Sequence, residues 1–347
     1  MNLNNMKKAY ARLMDEKSRL IFEKRALWSL TGNGQYIFDM LDHIRDKEGM
    51  DGMVSRMREV SDRLVVRGAG NEYNTFKRWY PDFSFVCFVD KDPVKQQRGT
   101  HDSHPVISVE EYYEKYRDCY VMINSSAYNN EIERELKEHG IPDEKIFNFG
   151  DFHREICDSQ YFEEGIMAPQ PKEIFVDGGT YDGMTSRRFA DWCGGDYEKI
   201  FAFEPDKDNY NRLMTALGKD PVRDMKVFNR GLWNEETTLR FSAKGTQGSG
   251  IAEGEDCIEI QTISIDEALQ GERASLIKLD VEGAEYETLL GAKDTITKYH
   301  PRMAISIYHK PEDIFTLPEL VLSFSEDYDF YLRHYQMSRF ETILYAV

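Results

Sequence analysis

Hydrophobic positions in the first sixty residues recur at helical spacing. Leu13, Leu20 and Leu27 are separated by seven residues each. Tyr10, Ile21 and Trp28 widen the same stripe. We therefore predict a helical segment over residues 1–60 whose apolar stripe faces a core. The alternative is that this stripe joins two copies of the chain in a homodimer, although the leucines lack regular flanking charge pairs.

From residue 61 the pattern changes to short apolar runs separated by a glycine turn and helical stretches. The apolar runs are Leu64–Val66, Phe85–Val89, Tyr120–Ile123 and Lys145–Phe149. A helical stretch at residues 129–140 precedes the last of them. Alternation of this kind is typical of a parallel sheet covered by helices. The sequence predicts a small parallel α/β domain over residues 61–150.

Residues 151–172 have no periodicity, and Pro169 and Pro171 favour extended backbone there. We interpret this stretch as a linker. A second α/β series fills residues 173–347, with parallel strands predicted at 173–176, 199–203, 226–228, 276–279 and 303–307. Two further runs, at 330–333 and 342–345, are close enough in sequence to pair as an antiparallel hairpin.

Composition and charge limit the classes of partner. The chain has 347 residues, 41% of them hydrophobic, so it can bury a core. A net charge of −18 disfavours nucleic acids and anionic membrane surfaces as partners. No stretch approaches the ~20 apolar residues that a membrane helix needs. Five cysteines, without metal-binding spacing, are expected to be reduced thiols: Cys87, Cys119, Cys157, Cys193 and Cys257. We expect a cytoplasmic protein.

A glycine-rich loop follows the first strand of the second series. It reads Asp177-Gly178-Gly179-Thr180-Tyr181-Asp182-Gly183, and such turns allow a ligand to approach the backbone closely. The carboxylates of Asp177 and Asp182 would repel a pyrophosphate, but they suit a ligand that carries an ammonium and a sulfonium. Glu204 ends the next strand, where an acceptor for ribose hydroxyls is expected. These features together favour S-adenosylmethionine, although Asp182 alone is more typical of a cap or turn.

Residues 172–347 resemble the FkbM-type methyltransferases. The resemblance rests on Ile174–Gly183, Phe203-Glu204-Pro205, Asn229–Trp233 and especially Ile277–Glu285. It implies a class I methyltransferase fold: a Rossmann-like α/β sheet of seven strands that ends in an antiparallel hairpin. It also implies S-adenosylmethionine as the methyl donor and, usually, an oxygen atom as the acceptor.

The resemblance also implies a set of cofactor-binding residues. The set includes the loop near the methionine portion of the cofactor, the ribose acceptor, the segment near adenine and the residue beside the transferable methyl. The predicted set is Asp177, Gly178, Gly179, Thr180, Tyr181, Gly183, Glu204, Pro205, Asp206, Arg230, Gly231, Leu232 and Asp280.

Methyl transfer to a hydroxyl requires alignment and the removal of a proton. Asp280, which follows the fourth strand, is the favoured base, and Glu282 is a second acid that alternatively caps the next helix, as does Glu285. His309 ends the fifth strand at the edge where ligands collect. A metal held by Asp280, Glu282 and His309 is conceivable, but no spacing requires one, so none is predicted. His334 is a weaker candidate for the pocket or the hairpin.

The first α/β domain begins like a dinucleotide fingerprint at Gly68-Ala69-Gly70, but Tyr73 replaces the third glycine. Asp90 ends the next strand, as a ribose acceptor would. We interpret the domain as a degenerate Rossmann-like module with a recognition or scaffold role. The leading hypothesis is an O-methyltransferase for a small-molecule or sugar hydroxyl. The alternatives are an enzyme that binds NAD or a nucleotide-sugar in this domain, and a cofactor-binding scaffold without turnover.

Overall fold

The computed structural model describes residues 3–70, 72–126, 128–152, 159–242, 250–251 and 257–347. The chain forms two compact units. Unit 1 comprises residues 1–40, 159–334 and 339–347, and unit 2 comprises residues 41–158 and 335–338. This grouping differs from the predicted domains at 1–60, 61–150, 151–172 and 173–347, because the first forty residues belong to the same unit as the C-terminal sheet.

The α-helices lie between and around the strands of both units. In chain order they are α1 Leu3–Ala11, α2 Glu16–Thr31, α3 Gln35–Ile44, α4 Lys47–Arg58, α5 Glu72–Trp79, α6 Pro93–Arg98, α7 Val109–Glu111, α8 Asn129–Glu138, α9 Met184–Trp192, α10 Lys207–Lys219, α11 Ile265–Leu269, α12 Glu285–Leu290, α13 Lys293–Tyr299 and α14 Asp313–Phe324. A π-helical turn, Tyr112–Tyr116, continues α7.

The strands in chain order are β1 Leu64–Arg67, β2 Phe88–Val89, β3 Thr100–His101, β4 His104–Ile107, β5 Tyr120–Ile123, β6 Ile146–Asn148, β7 Glu173–Gly178, β8 Tyr197–Phe203, β9 Met225–Phe228, β10 Gly231–Leu232, β11 Thr238–Ser242, β12 Gly250–Ile251, β13 Cys257–Ile263, β14 Leu276–Leu279, β15 Arg302–Ser306, β16 Phe330–His334 and β17 Thr342–Ala346.

Unit 1 is built on a seven-stranded sheet of order β16-β17-β15-β14-β7-β8-β9. Strands β7, β8, β9, β14 and β15 are parallel, whereas β17 runs antiparallel to β15 and β16. All residues of β7 and β14 are buried, which is typical of a parallel sheet covered on both faces. The predicted α/β class is confirmed, and the antiparallel hairpin is present.

The N-terminal helices of unit 1 bury the predicted stripe only in part. In α2 the buried side chains include Ile21, Phe22 and Arg25, and Arg25 donates to Thr342 Oγ1 at 2.8 Å. Of the predicted stripe, Leu13 and Ile21 are buried, whereas Leu27 is 39% exposed. The prediction that the stripe faces a core therefore holds for Leu13 and Ile21 and not for Leu27. The buried Arg25 was not part of the predicted stripe.

A smaller sheet of order β10-β13-β11-β12 also belongs to unit 1 and was not predicted. Strands β11 and β13 pair antiparallel, from Thr238 with Gln261 to Ser242 with Cys257. Strand β10 pairs parallel with β13 through Gly231 and Leu232. This sheet therefore fixes the backbone of a segment predicted to bind the cofactor.

Unit 2 contains a sheet of order β3-β4-β2-β1-β5-β6. It is parallel except for the β3–β4 hairpin, and the strand predicted at 85–89 is shortened to β2. Tyr73 is fully buried, and its ring packs edge-on against Phe88 at 4.8 Å. A tyrosine at the third glycine position is thus accommodated by the aromatic core of the unit.

Three of the cysteines, Cys87, Cys119 and Cys193, are free thiols. Cys157 lies outside the described residues, as does the side chain of Cys257. Among the residues described by the structure, none of the helices has the length and apolar character needed to cross a membrane.

Candidate functional site

The predicted site residues of unit 1 lie at the carboxyl edge of the seven-stranded sheet. The register aligns Gly178 with Phe203 on one side and with Leu279 on the other. Leu279 in turn pairs with Ile305 of β15. The segments that follow these strands therefore leave the sheet at one edge, which is where open α/β sheets bind ligands.

Gly179 allows the loop to pass close to the end of β14. Its φ is +75°, and a Cβ there would lie 1.9 Å from the backbone oxygen of Asp280. The N–H groups of Gly179 and Thr180 donate to the carbonyl of Phe203 at 3.1 and 3.0 Å. Only glycine fits this close approach.

Asp177 is fully buried, and its charge is compensated within the protein. Ser186 donates to Oδ2 at 2.7 Å, and Lys278 Nζ lies 3.2 Å from Oδ1. Lys278 also donates to the carbonyls of Gly178 at 2.9 Å and Gly179 at 2.7 Å. Lys278 thus joins Asp177 to the glycine turn, and Asp177 is not the free charge for a cationic ligand that the sequence suggested. Asp182 accepts from the N–H of Met184 at 3.0 Å and is a turn former.

Glu204 lies at the tip of β8 beside the glycine turn. It is 5% exposed, and it accepts from the N–H of Tyr181 at 3.0 Å and from that of Asp206 at 2.9 Å. No cationic side chain pairs with it among the described residues. Burial raises the pKa of Glu204 to about 7, against the opposing effect of these hydrogen bonds.

The flanking cofactor-site predictions have local structural partners. The Asp206 carboxylate caps α10 by accepting from the N–H groups of Asp208 and Asn209. Gly231 and Leu232 are buried in β10, and a Cβ on Gly231 would lie 3.6 Å from Pro205 Cβ. The structure therefore brings the β10 segment beside the residue that follows Glu204.

Asp280 is held by two tyrosines. Tyr161 donates to Oδ2 and Tyr308 to Oδ1, each at 2.9 Å. Burial alone would raise the pKa of Asp280, but Lys278, His309 and the two hydroxyls lower it below its usual range. Burial raises the pKa of Tyr161 and Tyr308 well above the ordinary value. Asp280 is therefore an ionised acceptor between two protonated tyrosines.

His309 lies among three carboxylates. Its Nδ1 is 2.9 Å from Glu285 Oε1, and its Nε2 is 3.5 Å from both Asp280 Oδ1 and Glu282 Oε2. Burial lowers the pKa of His309, but the three acids outweigh it and raise the pKa to about 9. His309 is consequently an imidazolium at neutral pH and not a free base.

The two acids after Asp280 differ in role. Glu285 Oε1 accepts from the N–H of Val281 at 2.9 Å, which is a local bond near the start of α12. Glu282 has a left-handed φ of +55°. Burial raises the pKa of Glu282 to about 7, although His309 lowers it. Helix α12 begins after Ala284, and its N-cap position carries no side-chain bond. Glu282 is thus a partly exposed acid that does not cap the helix.

One group of described residues could hold a cation. The ligand atoms of Asp280, Glu285 and His309 lie within 4.8 Å of one another, whereas the sequence suggested Glu282 as the third ligand. Both Asp280 oxygens accept tyrosine hydroxyls, and His309 Nδ1 faces Glu285. The two Asp280 oxygens are therefore satisfied, whereas His309 Nδ1 and Glu285 Oε2 are buried without a hydrogen-bond partner among the described residues.

Several residues of this network were not predicted. Tyr161 falls in the presumed linker, and Glu341 lies in the turn of the hairpin. Glu341 Oε1 is 3.3 Å from the Tyr308 hydroxyl, and Oε2 accepts from Gln160 at 2.6 Å. The one available signal was Lys278, a charged residue inside an otherwise apolar buried strand. His334 is buried and bonds to Thr342 Oγ1 at 2.6 Å, so it closes the hairpin.

Comparisons with known proteins agree with this architecture. Residues 177–332 match the family model of the methyltransferase FkbM domain, which confirms the resemblance found in the sequence. The structure is similar to that of the methyltransferase FkbM from Methylobacillus flagellatus KT, with a TM-score of 0.51 and 19% identity, over 86% of this chain and 98% of that one. At this identity the similarity concerns the fold alone. No curated protein matches the chain in sequence.

Two other similarities are weaker. Fibrillarin from Aeropyrum pernix, solved with S-adenosyl-L-methionine, has a TM-score of 0.34 and 12% identity over 52% of this chain and 67% of that one. Precorrin-6y C5,15-methyltransferase from Geobacter metallireducens GS-15 has a TM-score of 0.36 and 12% identity over 57% of this chain and 88% of that one.

Proposed function

We propose that this chain, which carries a methyltransferase FkbM domain at residues 177–332, transfers a methyl group from S-adenosylmethionine to a hydroxyl of a small molecule or sugar. One observation carries the proposal. The glycine turn, Glu204 and the group formed by Asp280, Glu282 and His309 lie at one edge of the seven-stranded sheet. The proposed cofactor site and the proposed acid–base site are thus adjacent.

The residues present suit an adenosine cofactor. Glu204 is a buried carboxylate without a cationic partner among the described residues. Each of its oxygens accepts one backbone N–H, and a carboxylate has further lone pairs that ribose hydroxyls could use. Thr180 Oγ1, in the neighbouring loop, is likewise buried without a hydrogen-bond partner. The bound cofactor would supply an activated methyl on a sulfonium. The other cofactor-site residues predicted from the sequence are proposed to surround it, with Gly179 allowing the backbone to approach.

We assign the proton transfer to Glu282. An acceptor hydroxyl forms a new O–CH₃ bond as the S–CH₃ bond breaks, and its proton passes to a carboxylate. A pKa of about 7 suits Glu282 to that task at neutral pH. Asp280 orients the hydroxyl as a fixed, ionised acceptor, and the His309 imidazolium stabilises the negative charge of both acids. Because a hydroxyl must lose a proton when it is methylated, the presence of this base favours oxygen as the acceptor atom.

The charge of the chain limits the class of methyl acceptor. A net charge of −18 opposes binding of a polyanion such as RNA, so we propose a small molecule or a saccharide. A cytoplasmic location remains a prediction, as does a homodimer formed through the N-terminal helices, where Leu27 and Leu30 are 39% and 63% exposed.

Calorimetry with S-adenosylmethionine and its demethylated product tests cofactor binding. We expect both to bind the wild-type chain and the Glu204→Gln variant to bind both more weakly. Asp327→Asn, an exposed acid of the same unit, is the matched control and should bind normally. Absence of heat with both ligands would refute the proposal.

Turnover separates an enzyme from a scaffold that only holds the cofactor. The purified chain and cofactor are added to a cell extract, and mass spectrometry follows metabolites that gain about 14 mass units, the mass of a CH₂. The oxygen assignment predicts that the modified compounds contain a hydroxyl at the methylated position. Cofactor binding without any methylated product would favour the scaffold.

A further inference from the structure

Unit 2 contains a cavity of about 360 Å³ beside the carboxyl ends of β1 and β2. This volume is in the range of small-molecule sites. The lining residues come from the glycine turn after β1, from α6, and from the β3–β4 hairpin. They are Ala69, Gly70, Lys95, Arg98, Thr100, His101 and Val106. The methyl-transfer site described above uses none of them.

The lining of the cavity carries two cations in a strongly acidic chain, of which Lys95 is paired with Asp90. None of these lining residues is acidic, and two are cations, although the chain carries a net charge of −18. Arg98 is exposed at the end of α6. Within the described part of the chain, its guanidinium has no hydrogen bond or ion pair. An unpaired arginine beside a cavity is suited to a bidentate contact with a phosphate.

Asp90, the acid beside this cavity, already has hydrogen-bond partners. Asp90 accepts from the N–H groups of Ala69 at 2.8 Å and Asp92 at 3.0 Å, and from Lys95 at 2.9 Å. Burial would raise the pKa of Asp90, but these donors lower it below its usual range. Asp90 therefore fixes the glycine turn as an anion, and it is not the free ribose acceptor that the sequence suggested.

We propose that this cavity binds a nucleoside diphosphate, with the phosphates at Arg98, Lys95 and the backbone of Gly70. Val106, Ala69 and the ring of His101 provide apolar surface for a base. The sheet supports this class of ligand, because its parallel strands follow the order β4-β2-β1-β5-β6 around the glycine turn, as in dinucleotide-binding folds. The proposal is independent of methyl transfer.

Calorimetry on the full chain tests this site with UDP, ADP and inorganic phosphate as separate probes. We expect at least one of the two nucleotides to bind and phosphate alone to bind far more weakly. Arg98→Glu should weaken nucleotide binding by at least about tenfold, since it replaces a charge-assisted contact by repulsion. Arg58→Glu, an exposed arginine of the same unit away from the cavity, should leave binding unchanged.

Adenosine in ADP could also enter the proposed cofactor site, so both nucleotides are titrated into Glu204→Gln as well. Retention of binding in Glu204→Gln and its loss in Arg98→Glu supports the cavity. The reverse pattern overturns the proposal, as does phosphate binding as tight as that of a nucleotide, or no binding by UDP and ADP. Failure of S-adenosylmethionine to bind would count against the methyltransferase proposal only.

Discussion

Lys278 Nζ lies 3.2 Å from Asp177 Oδ1, and both side chains are buried, with 2% and 0% exposure. The pair joins β14 to β7 at the edge where the glycine turn begins. Because Lys278 also binds the carbonyls of Gly178 and Gly179, the ion pair couples the strand tips to the shape of the loop.

Removal of Lys278 should be strongly destabilising. Lys278→Met leaves a buried carboxylate without its cation, which costs about 3–5 kcal/mol of unfolding free energy. The double variant Lys278→Met with Asp177→Asn should recover part of this loss, because no unpaired charge remains. Urea unfolding of the two single variants and the double variant measures the coupling. Additive effects in this cycle would contradict the pairing.

Asp280→Asn should reduce kcat by about 10²-fold, because it removes the ionised acceptor between Tyr161 and Tyr308 that orients the hydroxyl. The amide keeps the shape of the side chain, so the fold should persist by circular dichroism. Asp327→Asn serves again as the control and should retain wild-type turnover. Equal rates in all three proteins would show that Asp280 has no part in the reaction.

The rate at saturating cofactor should fall as the pH drops through about 7, because Glu282 becomes protonated. In Glu282→Gln the rate should be low, and a plot of log kcat against pH should no longer show the fall toward acid pH. If this fall persists in Glu282→Gln, another group accepts the proton.

Cofactor affinity should weaken at acid pH for a different reason. The carboxylate form of Glu204 accepts the ribose hydroxyls, and its pKa of about 7 means that it is largely protonated at pH 6. We expect binding at pH 6 to be roughly tenfold weaker than at pH 8. Calorimetry across this range measures the change, and Glu204→Gln should bind weakly with little pH dependence. A parallel dependence in the variant would exclude Glu204 as the source.

The positions of the strands along the chain and the glycine turn could be predicted because they depend on local patterns. A buried parallel strand is a continuous apolar run, as in Ile174–Val176, and Gly179 follows one directly. The sequence also identified Asp280 and His309, since each follows a strand that ends at one edge of the sheet.

The contacts of the site could not be predicted, because they join residues far apart in sequence. Tyr161 reaches Asp280 over 119 positions, and Lys278 reaches Asp177 across two strands whose pairing is known only from the fold. The charge state of His309 depends on three acids from another segment. Likewise, the leucine spacing before residue 31 could not show that Leu27 is exposed or that Arg25 is buried and bonds to Thr342.

The imidazolium of His309 should make stability depend on pH. The folded pKa is about 9 and the ordinary value is 6.5, so the folded chain binds this proton more tightly than the unfolded chain does. The stabilisation is therefore complete below about pH 6.5 and is lost as the pH rises through 9, by roughly 3 kcal/mol. The raised pKa of Glu282 acts in the same direction but at lower pH, between 4.5 and about 7.

Urea unfolding at pH 6.5, 7.5, 8.5 and 9.5 measures this loss. His309→Gln should be less stable than the wild type at pH 6.5, and its unfolding free energy should change little between pH 7.5 and 9.5. His139→Gln, at an exposed position in unit 2, should keep the wild-type slope. A steep decline that survives in His309→Gln would mean that the three carboxylates do not hold a proton on this ring.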